Sequence, residues 1–96
     1  MKNLNEIRDI LQSHKEDLHT KFNVKELGVF GSFARGEQGS ESDIDILVDF
    51  DEPIGWEYVD LIAYLESILG MKVDLVTPMA LKRQIKDNIL RDLVAV

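Results

Sequence analysis

The amino-acid sequence predicts an α/β domain of the α+β kind, in which helices flank a small mixed β-sheet. Strict alternation of apolar and polar residues over 43–50 is typical of a strand with one buried face. Apolar residues at three- and four-residue steps over 4–22 and 57–69 are typical of helices that bury one face. Because domains usually span roughly 100–200 residues, the 96 residues are expected to form a single domain, 1–96.

The first element is predicted to be one helix over residues 4–22. Asn3 or Asn5 can cap its start, because a side-chain oxygen accepts a hydrogen bond from a free N–H of the first turn. His14 lies on the apolar stripe and is expected to pack at its edge, whereas His19 lies off the stripe and is expected to be solvated. The stripe consists of Leu4, Ile7, Leu11, His14, Leu18 and Phe22.

A short apolar run over residues 27–30 predicts a strand that ends at Gly31. Residues 32–35 are expected to form about one helical turn, which Gly36 stops, and residues 37–42 to form a polar loop. The next strand, predicted over residues 43–50, should have one face in the core and one face open. Its core face consists of Ile44, Ile46, Val48 and Phe50, and its open face of Asp43, Asp45, Leu47 and Asp49.

Residues 57–69 predict a second long helix, with Gly70 as its stop. Trp56 directly precedes this helix and is expected to pack, with stacking on a nucleotide base as the alternative. The buried stripe is predicted to consist of Val59, Ile62, Leu65, Ile68 and Leu69.

Residues 71–76 predict a further strand, with Asp74 on the side opposite its apolar residues. Thr77 and Pro78 predict the start of a last helix, because Thr is a good cap and Pro suits the first helical position. That helix should continue through Leu81 and Ile85, and the tail over 89–96 should pack as more helix or as a short strand.

Composition and charge narrow the classes of function. The formal net charge is −7, which argues against direct binding of nucleic acid, because phosphate contacts need Lys and Arg. Residues 26–74 hold twelve acidic and only two basic side chains, so the carboxylates are concentrated in the middle of the chain. The absence of cysteine fits a cytoplasmic protein, and no signal peptide or apolar run of membrane-spanning length is seen.

Two aspartates and a Gly-Ser pair are the candidates for chemistry. Asp43 and Asp45 point to the same side of a strand with their Cα atoms about 6.6 Å apart, and such neighbouring carboxylates favour a cation between them. Mg²⁺ prefers one or two carboxylates plus substrate phosphates, and Asp74 on another strand could complete a two-metal site. Gly31 and Ser32 follow a strand, where backbone N–H groups and a hydroxyl can approach a phosphate. This combination indicates phosphoryl or nucleotidyl transfer.

Other interpretations of the same residues are weaker. A calcium-binding EF-hand loop that starts at Asp43 would need an oxygen ligand at Leu47. The Walker pattern for phosphate binding would need lysine where Glu37 stands, and neither histidine has a recognisable zinc spacing. A solvated strand face remains the alternative explanation for Asp43 and Asp45.

The spacing Gly31-Ser32, ten residues, Asp43-x-Asp45 matches the signature of the DNA polymerase β-like nucleotidyltransferase superfamily. From average residue usage, this match arises by chance on the order of once per thousand chains of this length. The string GSFARGEQGSESDIDILVDF over 31–50 resembles the minimal nucleotidyltransferases (MNT) of the MntA antitoxin type. The resemblance implies the polymerase β-like palm fold.

The resemblance also implies roles for individual residues. Gly31 and Ser32 would hold the triphosphate of ATP, and Arg35 would lie near the phosphates or the partner. Asp43, Asp45 and Asp74 would be the catalytic and metal-binding carboxylates, with two Mg²⁺ ions as the expected cofactors. A surface salt bridge is the alternative for Arg35, and Asp49, about 13 Å from Asp43, is expected to be an outer residue rather than a ligand.

The family's activity implies transfer of AMP from ATP to a tyrosine of a HEPN-domain toxin of the HepT type, which neutralises that toxin. The sequence also favours an outside acceptor, because 96 residues leave no room for an acceptor-binding domain. A basic cluster, Lys82, Arg83, Lys86 and Arg91, would face an acidic partner surface or a nucleotide, or be a solvated helix face. Alternatives are an idle antitoxin that masks the toxin by binding and a small-molecule (aminoglycoside-type) nucleotidyltransferase subunit; homo- and hetero-oligomers are both compatible with the sequence.

Overall fold

A computed structural model describes residues 2–37, 39, 43–52, 54–78 and 83–96, with the backbone alone described for 83–86. The described elements are α1 (Leu4–Ser13), α2 (Lys15–Phe22), β1 (Val24–Phe30), α3 (Ser32–Arg35), β2 (Ile44–Phe50), α4 (Glu57–Leu69), β3 (Val73–Val76), α5 (Arg83–Asp92) and β4 (Val94–Ala95). The helices and strands alternate as the sequence predicts. Within the described residues, no helix is both long and apolar enough to cross a membrane.

The four strands form one mixed sheet in the order β3-β2-β1-β4. Strand β1 is antiparallel to both β2 and β4, whereas β2 and β3 are parallel and joined through α4. The end of β1 therefore lies beside the start of β2, and the start of β3 lies on the other side of β2. This topology gathers three segments that are far apart in the sequence at one end of the sheet.

One face of the sheet packs on helices α1, α2 and α4. Of the apolar residues of β2 that were predicted to face the core, Ile44, Ile46 and Val48 are fully buried, and Phe50 is partly buried against the core. Helix α4 covers them with Leu61, Leu65 and Leu69, and the first two helices add Ile7, Leu11 and Leu18. The core thus fixes which side of β2 its aspartates occupy.

The first helical segment is two helices rather than the single helix predicted over 4–22. The break is at His14, whose backbone lies outside the helical region. Its Nδ1 contacts the Ile10 carbonyl oxygen at 2.8 Å, and the Ser13 hydroxyl donates to the same oxygen at 2.8 Å. These side chains take the carbonyl that the next turn would use, and the His14 amide donates to the Leu11 oxygen instead.

The other expectations for this segment hold. Asn3, rather than Asn5, caps α1, because its side-chain oxygen accepts from the Glu6 amide at 2.9 Å. His14 packs edge-on against Tyr64, with ring centroids 6.0 Å apart, as expected for a histidine at the edge of a core. His19 is exposed, and its Nδ1 lies 3.3 Å from an Asp51 carboxylate oxygen.

Helix α4 has the predicted bounds and the predicted stop at Gly70, but part of its predicted stripe is wrong. Val59 is 61% exposed, whereas Leu61, absent from the prediction, is fully buried. The buried residues repeat every four positions from Leu61, and Val59 lies off that line. Trp56 does not pack either, since 89% of it is exposed.

The opposite face of the sheet is only partly open. Helix α5 covers β1 on this side, and the Leu93 side chain occupies the space where a Cβ of Gly28 would lie. Leu47 is consequently buried, although the alternation predicted an open face. At the end of the chain, Pro78 precedes α5, and Leu81 lies outside the described residues. The tail over residues 89–96 forms both the end of α5 and the short strand β4.

Candidate active site

Gly31 forms a sharp turn between β1 and α3. Its backbone, with φ of 74° and ψ of −149°, lies in a region that only glycine adopts without strain. A Cβ at this position would collide with the Asp45 carboxylate, so the turn and that aspartate lie in direct contact. The Asp45 carboxylate thus fills the space that a side chain at this position would take, and the role of Gly31 in binding phosphate stays a prediction.

Helix α3 begins directly at Ser32, which is partly exposed. The Arg35 amide donates to the Gly31 carbonyl at 3.1 Å, and the Glu37 amide donates to the Ser32 carbonyl at 2.8 Å. Gly36 ends the helix in a left-handed conformation, which is the predicted stop. These backbone hydrogen bonds stabilise the turn and the short helix that follows it.

The strand register brings two of the predicted carboxylates together. Asp45 lies opposite Phe30 of β1 on one side and beside Asp74 of β3 on the other. The Asp45 and Asp74 side chains share a hydrogen bond, and Asp43 lies just before β2, exposed and close enough to act on Asp45 by its charge. Asp45 and Asp74, from two separate strands, thus lie side by side, and Asp45 contacts the Gly31 turn.

The electrostatics of Asp45 reflect this crowding. Burial is the main cause that raises its pKa above the usual aspartate value, followed by the charge of Asp74, their hydrogen bond and the charge of Asp43. The positive charge of Arg35 opposes the rise only weakly. Carboxylates that repel each other in this way are stabilised when a divalent cation lies between them.

The donor set suits Mg²⁺ in its chemistry. Carboxylate oxygens from Asp43, Asp45 and Asp74 are the hard ligands that Mg²⁺ takes together with substrate phosphates. In the described part of the chain, however, no three acidic, His or Cys side chains are already grouped as a finished metal site. That Asp43, Asp45 and Asp74 hold Mg²⁺ together with the phosphates of a nucleotide stays a prediction.

Arg35 has acidic partners in this structure. Its guanidinium donates to Glu37 at 3.0 Å and to Asp92 of α5 at 2.7 Å, and both contacts raise its pKa. The contact with Asp92 joins α3 to α5 at the edge of the site. Arg35 therefore forms surface salt bridges, which the sequence analysis gave as the alternative to a phosphate contact. A phosphate would have to compete with Glu37 and Asp92 for this side chain.

Tyr58 is a neighbour of the site that the sequence interpretation missed. Its hydroxyl donates to the Leu75 carbonyl at 2.5 Å, one residue after Asp74. Burial and the charge of Asp74 raise the pKa of this phenol. The signal available in the sequence was its position four residues before Ile62 of the predicted stripe, which places a polar tip beside the apolar side of α4.

Other predicted residues lie apart from the carboxylates. Asp49 is four residues along the same face of β2 and lines a cleft of about 420 Å³ between the sheet and α5, together with Leu47, Leu90 and Leu93. Within the predicted basic cluster, Lys82 and the side chains of Arg83 and Lys86 lie outside the described residues, and Arg91 is exposed.

A family model for the nucleotidyltransferase domain matches residues 7–96. The chain belongs to this nucleotidyltransferase family. The match spans all three candidate carboxylates and the Gly-Ser turn, and it confirms the resemblance seen in the sequence. The chemistry of the family is transfer of a nucleotidyl group.

Relatives of known name agree with this assignment. A Methanocaldococcus jannaschii protein, MJ1379, provisionally named a protein adenylyltransferase, is 52% identical over 100 residues, covering 100% of both chains. The protein adenylyltransferase MntA of Thermococcus cleftensis is 48% identical over 97 residues, covering 100% of this chain and 98% of the relative.

Solved structures of nucleotidyltransferases share the fold. A protein provisionally named a minimal nucleotidyltransferase superposes with a TM-score of 0.83 at 30% identity, covering 99% of this chain and 97% of the other. A chain from a toxin–antitoxin crystal structure with AMP-PNP superposes with a TM-score of 0.69 at 24% identity, over 98% of this chain and 72% of the other. The predicted nucleotidyltransferase fold is confirmed.

Proposed function

We propose that this nucleotidyltransferase is a Mg²⁺-dependent protein adenylyltransferase that acts as an antitoxin. It transfers AMP from ATP to a hydroxyl, that of a tyrosine, on a HEPN-domain toxin. The observation that carries the proposal is the contact of the Gly31 turn with Asp45, whose carboxyl group lies beside that of Asp74 on the neighbouring strand. The protein adenylyltransferase name of the 48% identical relative supports the choice of reaction.

Each residue of the site has a role in this reaction. The Gly31 backbone and the Ser32 hydroxyl bind and orient the triphosphate. Asp43, Asp45 and Asp74 hold Mg²⁺, which when bound supplies positive charge that neutralises the phosphates. Most of the catalysis then comes from positioning and charge neutralisation, as is general for phosphoryl chemistry.

The bonds and protons balance in a single displacement. The acceptor oxygen forms a bond to the α-phosphorus of ATP. At the same time the bond breaks between that phosphorus and the oxygen that bridges the α- and β-phosphorus atoms. Pyrophosphate leaves, and the hydroxyl proton passes to a carboxylate, for which Asp74 at the edge of the sheet is the candidate. The product is an AMP ester of the acceptor residue.

A separate protein supplies the acceptor in this proposal. The cleft of about 420 Å³ beside α5 is lined largely by apolar residues, among them Leu27, Leu47, Leu90 and Leu93, and it lies apart from the carboxylates. The structural neighbour with AMP-PNP is part of a toxin–antitoxin complex, which agrees with a toxin as acceptor. We place the reaction in the cytoplasm, in line with the cysteine-free composition.

Mass spectrometry of the intact toxin tests the proposal. Incubation with ATP, Mg²⁺ and the HEPN-domain toxin encoded beside this protein should add one or more AMP units to the toxin. The Asp43→Asn/Asp45→Asn double variant should abolish this gain, and Asp49→Asn, a matched change on the same strand face, should leave it within about threefold of wild type, since surface changes away from the reacting groups have small effects.

Two results would contradict the proposal. Full neutralisation of the toxin by the double variant would show that masking by contact is sufficient. AMP found on an aminoglycoside and never on the toxin would indicate a small-molecule transferase.

A further inference from the structure

Helix α4 presents an apolar pair to solvent. Trp56 is 89% exposed and Val59 is 61% exposed, and Leu90 on α5, at 47%, is the only other large apolar residue so exposed in the described part of the chain. Trp56 and Val59 are three residues apart, so their side chains lie one helical turn apart on one side of α4. Neither residue contributes to the core.

Acidic side chains lie close to this pair in the sequence. Asp51, Glu52, Glu57 and Asp60 are all exposed, and Asp60 follows Val59 directly. Between residues 43 and 78 the sequence has nine acidic residues and a single basic one, Lys72. The start of α4 therefore exposes an apolar pair together with an acidic rim, which consists of Glu57 and Asp60, the residues next to Trp56 and Val59 in the sequence.

The start of α4 lies close to the candidate active site. Tyr58, between Trp56 and Val59 in sequence, donates its hydroxyl to the Leu75 carbonyl of β3. Strand β3 is the edge strand of the sheet and carries Asp74, the residue before Leu75. Trp56 and Val59 lie on the side of α4 that faces away from Tyr58 and β3, so a protein bound to them reaches Asp74 by extending around the start of the helix.

We propose that the exposed face formed by Trp56, Val59 and Asp60 is the docking surface for the protein acceptor. The partner that fits it has an apolar pocket for the indole ring, rimmed by Lys and Arg side chains. This inference rests on the proposed function in taking the acceptor to be a protein. Tryptophan is the residue type most often found at the centre of such contacts, because it buries a large apolar area.

Charge distinguishes this occupant from two others. A second copy of the chain bound through the same face would bring two acidic rims together, since two-fold interfaces pair identical surfaces. A nucleotide stacked on Trp56 would place its phosphates beside the same carboxylates. Both arrangements are opposed by repulsion, whereas a basic partner is attracted.

Trp56 is the only tryptophan in the chain, which makes the surface directly observable. Wild-type protein labelled with 5-fluorotryptophan gives one ¹⁹F resonance. Adding the unlabelled HEPN-domain toxin should shift and broaden this resonance. Adding ATP with Mg²⁺, or concentrating the protein alone, should leave it unchanged.

Variants at the surface give the affinity test. Trp56→Ala should raise the dissociation constant for the toxin at least tenfold, which corresponds to about 1.4 kcal/mol of binding free energy. The melting temperature of the variant should be unchanged, because the ring is exposed. Asp60→Lys should slow association and reduce its dependence on salt. Leu90→Ala, the matched change at the other exposed apolar residue, should stay within about twofold of wild type.

The outcomes separate this inference from the proposed function. Unchanged affinity of Trp56→Ala, a ¹⁹F shift caused by ATP, or one caused by self-association would overturn the docking surface even where AMP transfer is intact. Binding of the toxin through Trp56 without any AMP transfer would support the surface and contradict the proposed function.

Discussion

At the scale of single residues, Asp45 is held in an environment that suits a cation. It is half-buried, hydrogen-bonded to Asp74 and close to Asp43, and burial and these charges together raise its pKa. At neutral pH the metal-free fold therefore contains carboxylates that destabilise one another. The same contacts become favourable once a divalent ion neutralises them.

Asp45→Asn should stabilise the metal-free protein, raising its melting temperature by a few degrees at pH 7. Because the pKa of Asp45 is raised on folding, the charged carboxylate destabilises the fold at high pH, and this penalty disappears as the pH falls toward the ordinary value of 3.8. The difference in melting temperature between Asp45→Asn and wild type should therefore become smaller as the pH falls. Thermal unfolding over pH 4–8, with Asp49→Asn as control, measures this difference.

Magnesium should reverse that order of stability. An ion present at 100 times its dissociation constant stabilises the fold by about 2.7 kcal/mol. Wild type should gain this increment in Mg²⁺, and Asp45→Asn should gain much less. Equal gains in both proteins would show that Asp45 is not a ligand.

Gly31 and Gly36 provide a matched pair of substitutions. Gly31→Ala should cost about 1–3 kcal/mol from backbone strain and displace the Asp45 carboxylate, which should lower AMP transfer by about 100-fold or more. At Gly36, also at positive φ, nothing lies within 4 Å of an added Cβ. Gly36→Ala should therefore cost only about 1–2 kcal/mol of stability and leave the transfer rate close to wild type.

These residue-level contacts differ in how far the sequence predicts them. The spacing from Gly31 to Asp45 is short enough for a motif to carry, and the structure places the two side by side. The partner of Arg35, Asp92, is 57 residues away, and only the packing of α5 brings it near. No local pattern contains that information.

At the scale of elements, side-chain hydrogen bonds tie helix α4 to strand β3, one from Tyr58 and one in which the Val73 amide donates to the Glu66 carboxylate at 3.0 Å. Tyr58 reaches across 17 residues to the Leu75 carbonyl, beside Asp74. The bond fixes the start of the helix against the edge of the sheet. It thereby limits the positions that the Asp74 backbone can take.

Tyr58→Phe should remove this tie without removing the ring. Loss of the bond should cost about 0.5–1.5 kcal/mol, which lowers the melting temperature by about 4–8 °C per kcal/mol in a domain of this size. AMP transfer should fall mainly in kcat, because Asp74 is less well placed. Tyr64→Phe is the control, because the Tyr64 ring packs against His14 and Phe22. It should change the melting temperature and the kcat of AMP transfer only slightly. A Tyr58→Phe protein with wild-type stability would contradict this role.

The sequence predicts the helices and strands, but it does not predict for every one of them which side faces the core. Alternation places Ile44, Ile46 and Val48 in the core as predicted. Helix α4 is rotated so that Leu61 is buried and Val59 exposed, since tertiary packing chooses among several apolar lines on one helix. The break at His14 depends on side chains that bond the Ile10 carbonyl, which apolar spacing does not report.

At the scale of the whole molecule, sheet order creates the site. The order β3-β2-β1-β4 places Asp74 beside Asp45 and the Gly31 turn on its other side. Local sequence patterns predict the strands but not which strands are neighbours in the sheet. The prediction that these residues share one site was therefore supported mainly by the family resemblance. The concentration of acids in residues 26–74 includes both the metal-binding candidates and the rim of the Trp56 face.

The position of the label that ATP leaves behind tests the central claim most directly. The protein, its HEPN-domain toxin and Mg²⁺ are incubated in parallel with ATP labelled at the α- or the γ-phosphorus. Nucleotidyl transfer predicts that α-label appears on the toxin and γ-label only in pyrophosphate, with both signals lost in Asp43→Asn/Asp45→Asn. Label from the γ-phosphorus on the toxin, or α-label that persists in the double variant, would contradict the account.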